Sequence, residues 1–491
     1  MPAGEYNVAV MEKVGRNDPC PCGKKKPDGT AMKYKKCCES KEAEISAIKK
    51  KEEQKEKDAK WRRKFFSGGP YTICPKCGLN TFGRPIMTMR SGKYTKECYE
   101  CGHSQTFPLP DLKKKIIYLD QFVIDNFVKA LDPTHPKHQR VIENPFWLEA
   151  YKKLDILSKA QLIVCPDSFF HRDESAPTGY FGSMQRIYEH LSDGSTFYNE
   201  YKIQELQIRG HFRNFLRGNP TELPSVDSSE IVIGELNKWR DSIRVSVSSR
   251  PREEEVEEKL KNKEKSYADF LPIFERWKTE KDHTFEDWFR EEIKGFVTGT
   301  IQVIARQVKR RAELPQKVLA GEKIDLNDVF PLPSEELITS LIRVAHEEGV
   351  QDTPEALKKI SEYLNSEFLE LIPSIRIGTA LYAAIADQAT KGRQRPPTKG
   401  VFVDIKMIES FLPYCDAMFV DDENTALLQD GRVKAKVGYP TKMFSLRNKE
   451  EFLKHLDDIL HSADPSHIDL IKQVYGDDWM QPFVTILEHK E

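Results

Sequence analysis

Four acidic residues follow, or lie just beyond, short apolar runs with the composition of β-strands. Asp120 follows IIYL, Glu174 lies beyond QLIVCPDSFF, Asp404 follows GVFV and Asp422 lies beyond CDAMFV. In an α/β fold the carboxyl ends of parallel strands meet at one edge of the sheet, so these acids are expected to lie close together. Gathered carboxylates repel one another and cannot all stay ionised without divalent cations. The pattern predicts an α/β fold with a magnesium or manganese site suited to phosphodiester cleavage.

Helical segments alternate with the short β runs through most of the chain. Strands are predicted around 116–119, 162–165, 417–420 and 442–445, and helices around 122–131, 146–159, 375–390, 404–414 and 449–461. This alternation is typical of a central parallel sheet. Residues 201–370 are instead charged and mostly helical in pattern, which predicts a long helical insertion in the α/β domain.

Eight of the ten cysteines fall in four close pairs before residue 102. The absence of a secretory signal in the first residues favours metal binding over disulfides. One group is formed by Cys74, Cys77, Cys98 and Cys101. Two CxxC pairs, each followed by glycine, predict a zinc ribbon over residues 69–108, with a hairpin that turns at Ser91-Gly92.

The other cysteine group lies at the start of the chain. It reads GRNDPCPCG and ends at KYKKCC, and it resembles the SEC-C zinc motif, although about six residues are inserted between the halves. The resemblance implies a zinc module over residues 1–40 that contacts a protein or the ribosome. Its implied ligands are Cys20, Cys22, Cys37 and Cys38. Metal binding would supply most of the folding energy of so small a module. The charged segment 41–68 predicts a solvated helical linker.

Charge is distributed unevenly along the chain. Residues 1–115 contain 26 basic and 14 acidic residues, a balance of +12, whereas the whole chain has a net charge of −1. A basic front joined to an acidic body suggests a nucleic-acid-facing arm on an acid-lined catalytic body, although Lys-rich linkers are also simply soluble. No stretch approaches 18 consecutive apolar residues, so we expect no membrane span and a cytoplasmic protein.

The order of the acids resembles that of the PIN-like nuclease superfamily. The resemblance covers about 115–200 and 370–460 and implies a PIN-like three-layer fold, in two halves (112–200 and 371–491) around the 201–370 insertion. It implies that a catalytic Mg²⁺ or Mn²⁺ is bound by Asp120, Glu174, Asp404 and Asp422. Adjacent Asp421 is an alternative to Asp422.

Several alternatives stay open at this stage. Asp173 could replace Glu174, since only one of two neighbouring helical residues faces a given site. Asp404 and Asp422 could simply cap helices. His171, one turn before Glu174, could ligate manganese, contact substrate phosphate or be structural.

The residues and the resemblance together predict a metal-dependent endonuclease that prefers RNA over DNA, with two structural zinc ions and zinc modules that recruit nucleic acid, the ribosome or a protein partner. A role in toxin or phage-defence systems would leave this chemistry unchanged. The competing hypothesis is a catalytically inactive, zinc-dependent adaptor that binds nucleic acid or the ribosome.

Overall fold

The computed structural model describes residues 14–85, 92–241, 251–321 and 333–481, and these form two units. One unit contains the described residues up to Leu109 together with Asp241, and the other contains Pro110–Arg240 and the described residues from 251 onwards. None of the helices in these ranges combines the length and apolar character needed to cross a bilayer.

The first unit consists of a short 3₁₀ turn, one long helix and an antiparallel sheet. The turn spans Tyr34–Lys36, and helix α1 spans Cys38–Phe65. The strands, paired in chain order, are β1 (Ser67–Ile73), β2 (Asn80–Pro85), β3 (Lys93–Cys98) and β4 (Ser104–Pro108). Helix α1 is largely exposed, as predicted for the charged linker, because it carries no continuous apolar stripe. The predicted turn at Ser91-Gly92 falls partly outside the described residues.

The second unit is built around a four-stranded parallel sheet, as the sequence predicts. Its strands are β5 (Lys115–Leu119), β6 (Ile163–Val164), β9 (Ala417–Phe419) and β10 (Lys442–Phe444), in the spatial order β10-β9-β5-β6. A separate antiparallel pair is formed by β7 (Thr196–Phe197) and β8 (Val232–Ile233). All three pairings of the main sheet are parallel, with Ile117 opposite Ala417 and Leu119 opposite Phe419. Strand β10 lies at one edge of the sheet.

Helices account for most of the remaining second unit. Before the insertion they are α2 (Gln121–Leu131), α3 (His138–Ile142), α4 (Phe146–Lys159), α5 (Phe169–Ser175) and α6 (Phe181–Ser192), and the insertion opens with α7 (Glu200–Leu216). The insertion continues with α8 (Glu253–Thr279), α9 (Phe285–Leu319), α10 (Pro333–Glu347) and α11 (Thr353–Leu364). The rest are α12 (Pro373–Thr390), α13 (Val401–Phe411), α14 (Asp422–Gln429), α15 (Gly431–Val437), α16 (Lys449–His461) and α17 (Pro465–Tyr475). Further 3₁₀ turns lie at Glu367–Leu371, Leu412–Tyr414 and Leu446–Asn448.

Both faces of the parallel sheet are buried. Alternate residues of β5 point to opposite faces, so Ile116 and Tyr118 enter one apolar cluster while Ile117 and Leu119 enter another. The first cluster includes residues of α8, α12 and α13, and the second includes residues of α2, α4, α6 and α16. The sheet is therefore covered by helices on both sides, which fixes its exposed carboxyl edge as the place where polar side chains can gather.

One predicted strand is absent from the structure. The run GVFV before Asp404 is not extended, because Val401–Phe411 forms α13 and Asp404 lies in its first turn. A short apolar run of this kind is equally compatible with a buried helical turn, and here Val401 and Ile405 lie on its buried face.

Candidate metal centres

The ribbon cysteines lie where two similar turns face each other. Cys74 and Cys101 have Sγ atoms 3.7 Å apart, and Cys77 and Cys98 are separated by the same distance. In each turn a backbone N–H donates to a sulfur, from Lys76 to Cys74 and from Cys101 to Cys98, both at 3.4 Å. Four thiolates arranged tetrahedrally around zinc at about 2.3 Å have sulfurs about 3.8 Å apart. The cluster therefore has the spacing of a structural zinc site.

The cysteines near the start of the chain form a second cluster of the same kind. The Sγ of Cys22 lies 3.3 Å from that of Cys20 and 3.4 Å from that of Cys37, and Cys38 lies 4.0 Å from Cys37. A hydrogen bond from the backbone of Lys24, with further bonds from the neighbouring thiols, lowers the pKa of Cys22 to about 6. The four sulfurs all lie within 4.8 Å of one another, so this cluster also fits a structural zinc ion.

Two of the candidate acids follow neighbouring strands of the parallel sheet. Asp120 follows β5 and caps α2, where its Oδ1 accepts a hydrogen bond from the Gln121 N–H at 2.6 Å. Asp421 follows β9 and caps α14, where its Oδ1 accepts from the Asn424 N–H at 2.7 Å. Since β5 and β9 are paired in parallel, both carboxylates lie at the same edge of the sheet.

Two further acids reach this edge from helices. Glu174 lies in α5 and Asp404 in the first turn of α13. Burial raises the pKa of Asp120 well above its usual range, and the charges of Glu174 and Asp404 raise it further. Burial, followed by the charges of Asp421 and Glu174, raises the pKa of Asp404 to about 7. The charges of Glu174 and Asp421 thus raise the pKa of both Asp120 and Asp404, and we call these four residues the acid cluster.

An asparagine that the sequence analysis did not identify organises one side of the acid cluster. Asn424 is buried, its backbone N–H donates a hydrogen bond to Asp421 at 2.7 Å, and the polar contacts of its side chain lower the pKa of both Asp404 and Asp421. These contacts favour the ionised carboxylates and so partly oppose the effect of burial. An uncharged residue in the first turn of a short helix carries no sequence signal for such a role.

Asp422 does not belong to the acid cluster. Its Oδ1 accepts a hydrogen bond from the Arg447 N–H at 3.3 Å, its Oδ2 lies 3.5 Å from the Arg447 Nε, and its side chain is 41% exposed. The carboxylate of Asp422 therefore faces Arg447, whereas the charge of Asp421, the alternative candidate, raises the pKa of both Asp120 and Asp404. The physical reason is that Asp421 is the capping residue after β9, whereas Asp422 is already the first residue of α14 and points elsewhere.

The two remaining candidates lie beside the acid cluster. Asp173 forms an ion pair with Lys259 of α8. His171 is buried between the rings of Tyr118 and Tyr188, and its Nε2 donates to the Leu119 carbonyl at 2.8 Å. Burial lowers the pKa of His171 to about 3, so this imidazole is neutral. Its geometry supports the structural alternative, in which it holds the end of β5 beside Asp120.

The carboxylate oxygens of the acid cluster suit a hard cation, but they lie farther apart than the ligands of a single bound ion. Carboxylate oxygens are the ligands that Mg²⁺ and Mn²⁺ prefer. Within the described part of the chain, three groups have ligand atoms all within 4.8 Å of one another: the two cysteine clusters and Glu280, His283 and Glu291. The acid cluster is wider than these groups, so three of its carboxylates do not meet at one ion in these side-chain conformations. In the third group, the guanidinium of Arg276 already contacts both glutamates.

A cavity of about 570 Å³ adjoins the acid cluster at Glu174. It lies between α5 and α8. Its lining includes aromatic and basic side chains, namely Phe169, Lys259, Lys263, Phe402 and Lys406. A space of this size next to the acids is large enough to receive part of a substrate.

Comparison with known proteins adds no assignment. No family model matches the chain, and no solved structure matches it.

Proposed function

We propose that this protein is a PIN-like, Mg²⁺- or Mn²⁺-dependent endonuclease that hydrolyses phosphodiester bonds, with RNA as the preferred substrate. The observation that carries the proposal is the acid cluster. Four carboxylates come from separate parts of the chain near the carboxyl edge of a parallel sheet, and the charges of Glu174 and Asp421 raise the pKa of both Asp120 and Asp404. Mutual repulsion and burial destabilise such a group, and a bound divalent cation would remove that cost.

The local structure prepares the acid cluster for a cation. Asp120 and Asp421 each use one carboxylate oxygen to cap a helix, which orients the side chain. The side chain of Asn424 favours the ionised forms of Asp404 and Asp421 by lowering the pKa of both. Asp120, Glu174, Asp404 and Asp421 would hold the ion or ions. When bound, these would activate water and stabilise the charge that develops on the phosphate oxygens.

The first unit supports a recruiting role in the same proposal. Its two cysteine clusters fit structural zinc ions, and its SEC-C-like module would contact nucleic acid, the ribosome or a protein partner. A basic front of this kind would raise the local concentration of a polyanionic substrate.

The test compares cleavage by matched variants of neighbouring aspartates. Purified full-length protein is incubated with labelled single-stranded RNA or DNA, with and without added Mg²⁺ or Mn²⁺. We expect cleavage only with the added ion. Asp421→Asn should lower the rate by about 100-fold or more, because removing a ligand costs at least as much as removing its supporting partner. Asp422→Asn should stay within a few-fold of wild type.

The opposite results would contradict the proposal. Cleavage without a divalent ion, or equal rates for Asp421→Asn and wild type, would rule out this acid cluster as the active centre. Binding of RNA without cleavage under every metal condition would instead favour the adaptor hypothesis.

A further inference from the structure

Helix α8 of the insertion is fixed to the body of the second unit. Phe270, Phe274 and Trp277 lie on one side of its C-terminal half and are buried in the same apolar cluster as Tyr118 of β5. The ring of Phe270 packs edge-on against Phe402 of α13, with centroids 4.9 Å apart. Because Phe402 is two residues from Asp404, α8 is anchored to the helix that carries one of the acids.

The other half of α8 presents two lysines to the acid cluster. Lys259 and Lys263 are four residues apart, so they share one face of the helix. The Nζ of Lys263 lies 3.9 Å from an oxygen of Glu174, and Lys259 forms an ion pair with Asp173. The positive charge of Lys263 also lowers the pKa of both Glu174 and Asp404, against the effect of burial. The insertion thus supplies fixed positive charge at the rim of a strongly acidic site.

Aromatic side chains line the same cavity as these lysines. Phe169 of α5 is 43% exposed, and the Nζ of Lys259 lies 4.3 Å from the centre of its ring. The third lysine of the cavity, Lys406, is held by the buried Glu409 at 2.7 Å. The α8 lysines are only partly buried, with side chains 46% and 36% exposed, so their pairs with Asp173 and Glu174 are weak and exchangeable.

We propose that α8 is the substrate-binding wall of the active site, where Lys259 and Lys263 bind successive phosphates of a single strand of nucleic acid and Phe169 stacks on an unpaired base. This inference rests on the nuclease function proposed above. A polyanion must approach four carboxylates, and positive side chains beside them offset the repulsion. A single strand is favoured over a duplex because only an unpaired base offers its face to an exposed ring.

Binding can be measured separately from cleavage. A labelled single-stranded RNA oligonucleotide is titrated with full-length protein carrying Asp120→Asn, without added Mg²⁺ or Mn²⁺, and the anisotropy is followed over a range of salt concentrations. In this background, Lys259→Gln and Lys263→Gln are compared with Lys261→Gln. Lys261 lies on the same helix but pairs with the exposed Glu257 and does not line the cavity, so it is a matched control for net charge.

We expect each cavity lysine to account for one phosphate contact. Its loss should reduce the magnitude of the slope of log affinity against log salt by about 0.7. If variant and parent bind equally at 1 M salt, the variant then binds about fivefold more weakly than the parent at 0.1 M salt. Lys263→Arg should restore the slope, Phe169→Ala should weaken binding further, and Lys261→Gln should behave as the parent. A duplex of the same length should bind more weakly than the single strand.

The outcomes separate this inference from the proposed function. Equal affinities and salt slopes for all three lysine variants would overturn the inference, even if the wild-type enzyme cleaves RNA. The same holds if the duplex binds better than the single strand. Lysine-dependent binding with no cleavage by the wild-type protein would instead refute the nuclease proposal and leave the binding wall intact.

Discussion

Replacing Asp404 by Asn should make the protein more stable in the absence of divalent ions. In the unfolded chain an aspartate titrates near 3.8, whereas in the folded protein the pKa of Asp404 is about 7. Between pH 3.8 and about pH 7, Asp404 is therefore protonated in the folded protein and ionised in the unfolded chain. The stabilising protonated form is therefore fully present below about pH 4, and stability falls as the pH rises through 7.

The size of the effect follows from the pKa difference. A shift of about three units corresponds to an upper bound of about 4 kcal/mol at pH 8, at 1.36 kcal/mol per unit. The neighbouring acids titrate together with Asp404 and share this destabilisation. We therefore expect Asp404→Asn to raise the free energy of unfolding at pH 8 by about half of the upper bound, roughly 2 kcal/mol. The amide side chain of the variant would keep an oxygen that can accept the hydrogen bond from Asn424.

The assay is urea unfolding of the full-length protein at pH 5 and pH 8. Buffers are freed of Mg²⁺ and Mn²⁺ by resin rather than by a soluble chelator, which would compete for zinc. Asp404→Asn should exceed wild type at pH 8 and match it more closely at pH 5. Asp422→Asn, the control outside the acid cluster, should stay within about 0.5 kcal/mol of wild type.

Added Mg²⁺ should reverse the order of stability of Asp404→Asn and wild type. A ligand that binds only the folded state raises its stability, so Mg²⁺ should stabilise wild type and have less effect on Asp404→Asn. If Asp404→Asn and wild type show the same pH dependence, the acids do not destabilise one another and the electrostatic reasoning fails.

Three further predictions concern other parts of the structure. Wild-type protein should contain about two zinc ions, and Cys22→Ser or Cys77→Ser about one each by elemental analysis; an unchanged zinc content would refute the assigned ligands. Phe274→Ala should destabilise the second unit by about 3–5 kcal/mol in urea unfolding, since this fully buried ring anchors α8; no change would mean that α8 is not part of the core. His171→Asn should cost about 1–3 kcal/mol because the buried Leu119 carbonyl loses its donor, while stabilisation by Mn²⁺ should persist; loss of the Mn²⁺ effect would make His171 a ligand.

The parallel sheet was predictable because its strands carry a distinct local pattern. IIYL and AMFV are short apolar runs bounded by polar residues, and they form β5 and β9 close to the predicted limits. Helices with a clear period were located equally well, as with Phe146–Lys159 and Lys449–His461. The strand predicted at GVFV was wrong because composition alone does not distinguish a short strand from a buried helical turn.

The acid cluster was harder to predict because one residue decides which side chain faces it. Whether Asp421 or Asp422 joins the other acids depends on where β9 ends and α14 begins, and element boundaries are poorly determined by sequence. Lys263 was missed for a different reason. It lies in a charged helix that packs on the second unit through Phe270, Phe274 and Trp277. The local sequence of this helix does not predict which part of the protein it packs against.

The pairing of β5 with β9 determines when each part of a newly made chain can assemble. The two cysteine clusters join residues only 15 and 27 positions apart, so both loops can close early in translation. Near the start of β5, by contrast, the backbone N–H of Ile116 donates a hydrogen bond to the carboxylate of Asp416, which lies 300 residues later in the chain. A polypeptide interrupted before β9 therefore carries Asp120 and Glu174 but lacks the neighbouring strand and Asp421. The proposed hydrolytic activity would therefore arise only once synthesis is nearly finished, after both cysteine clusters can form.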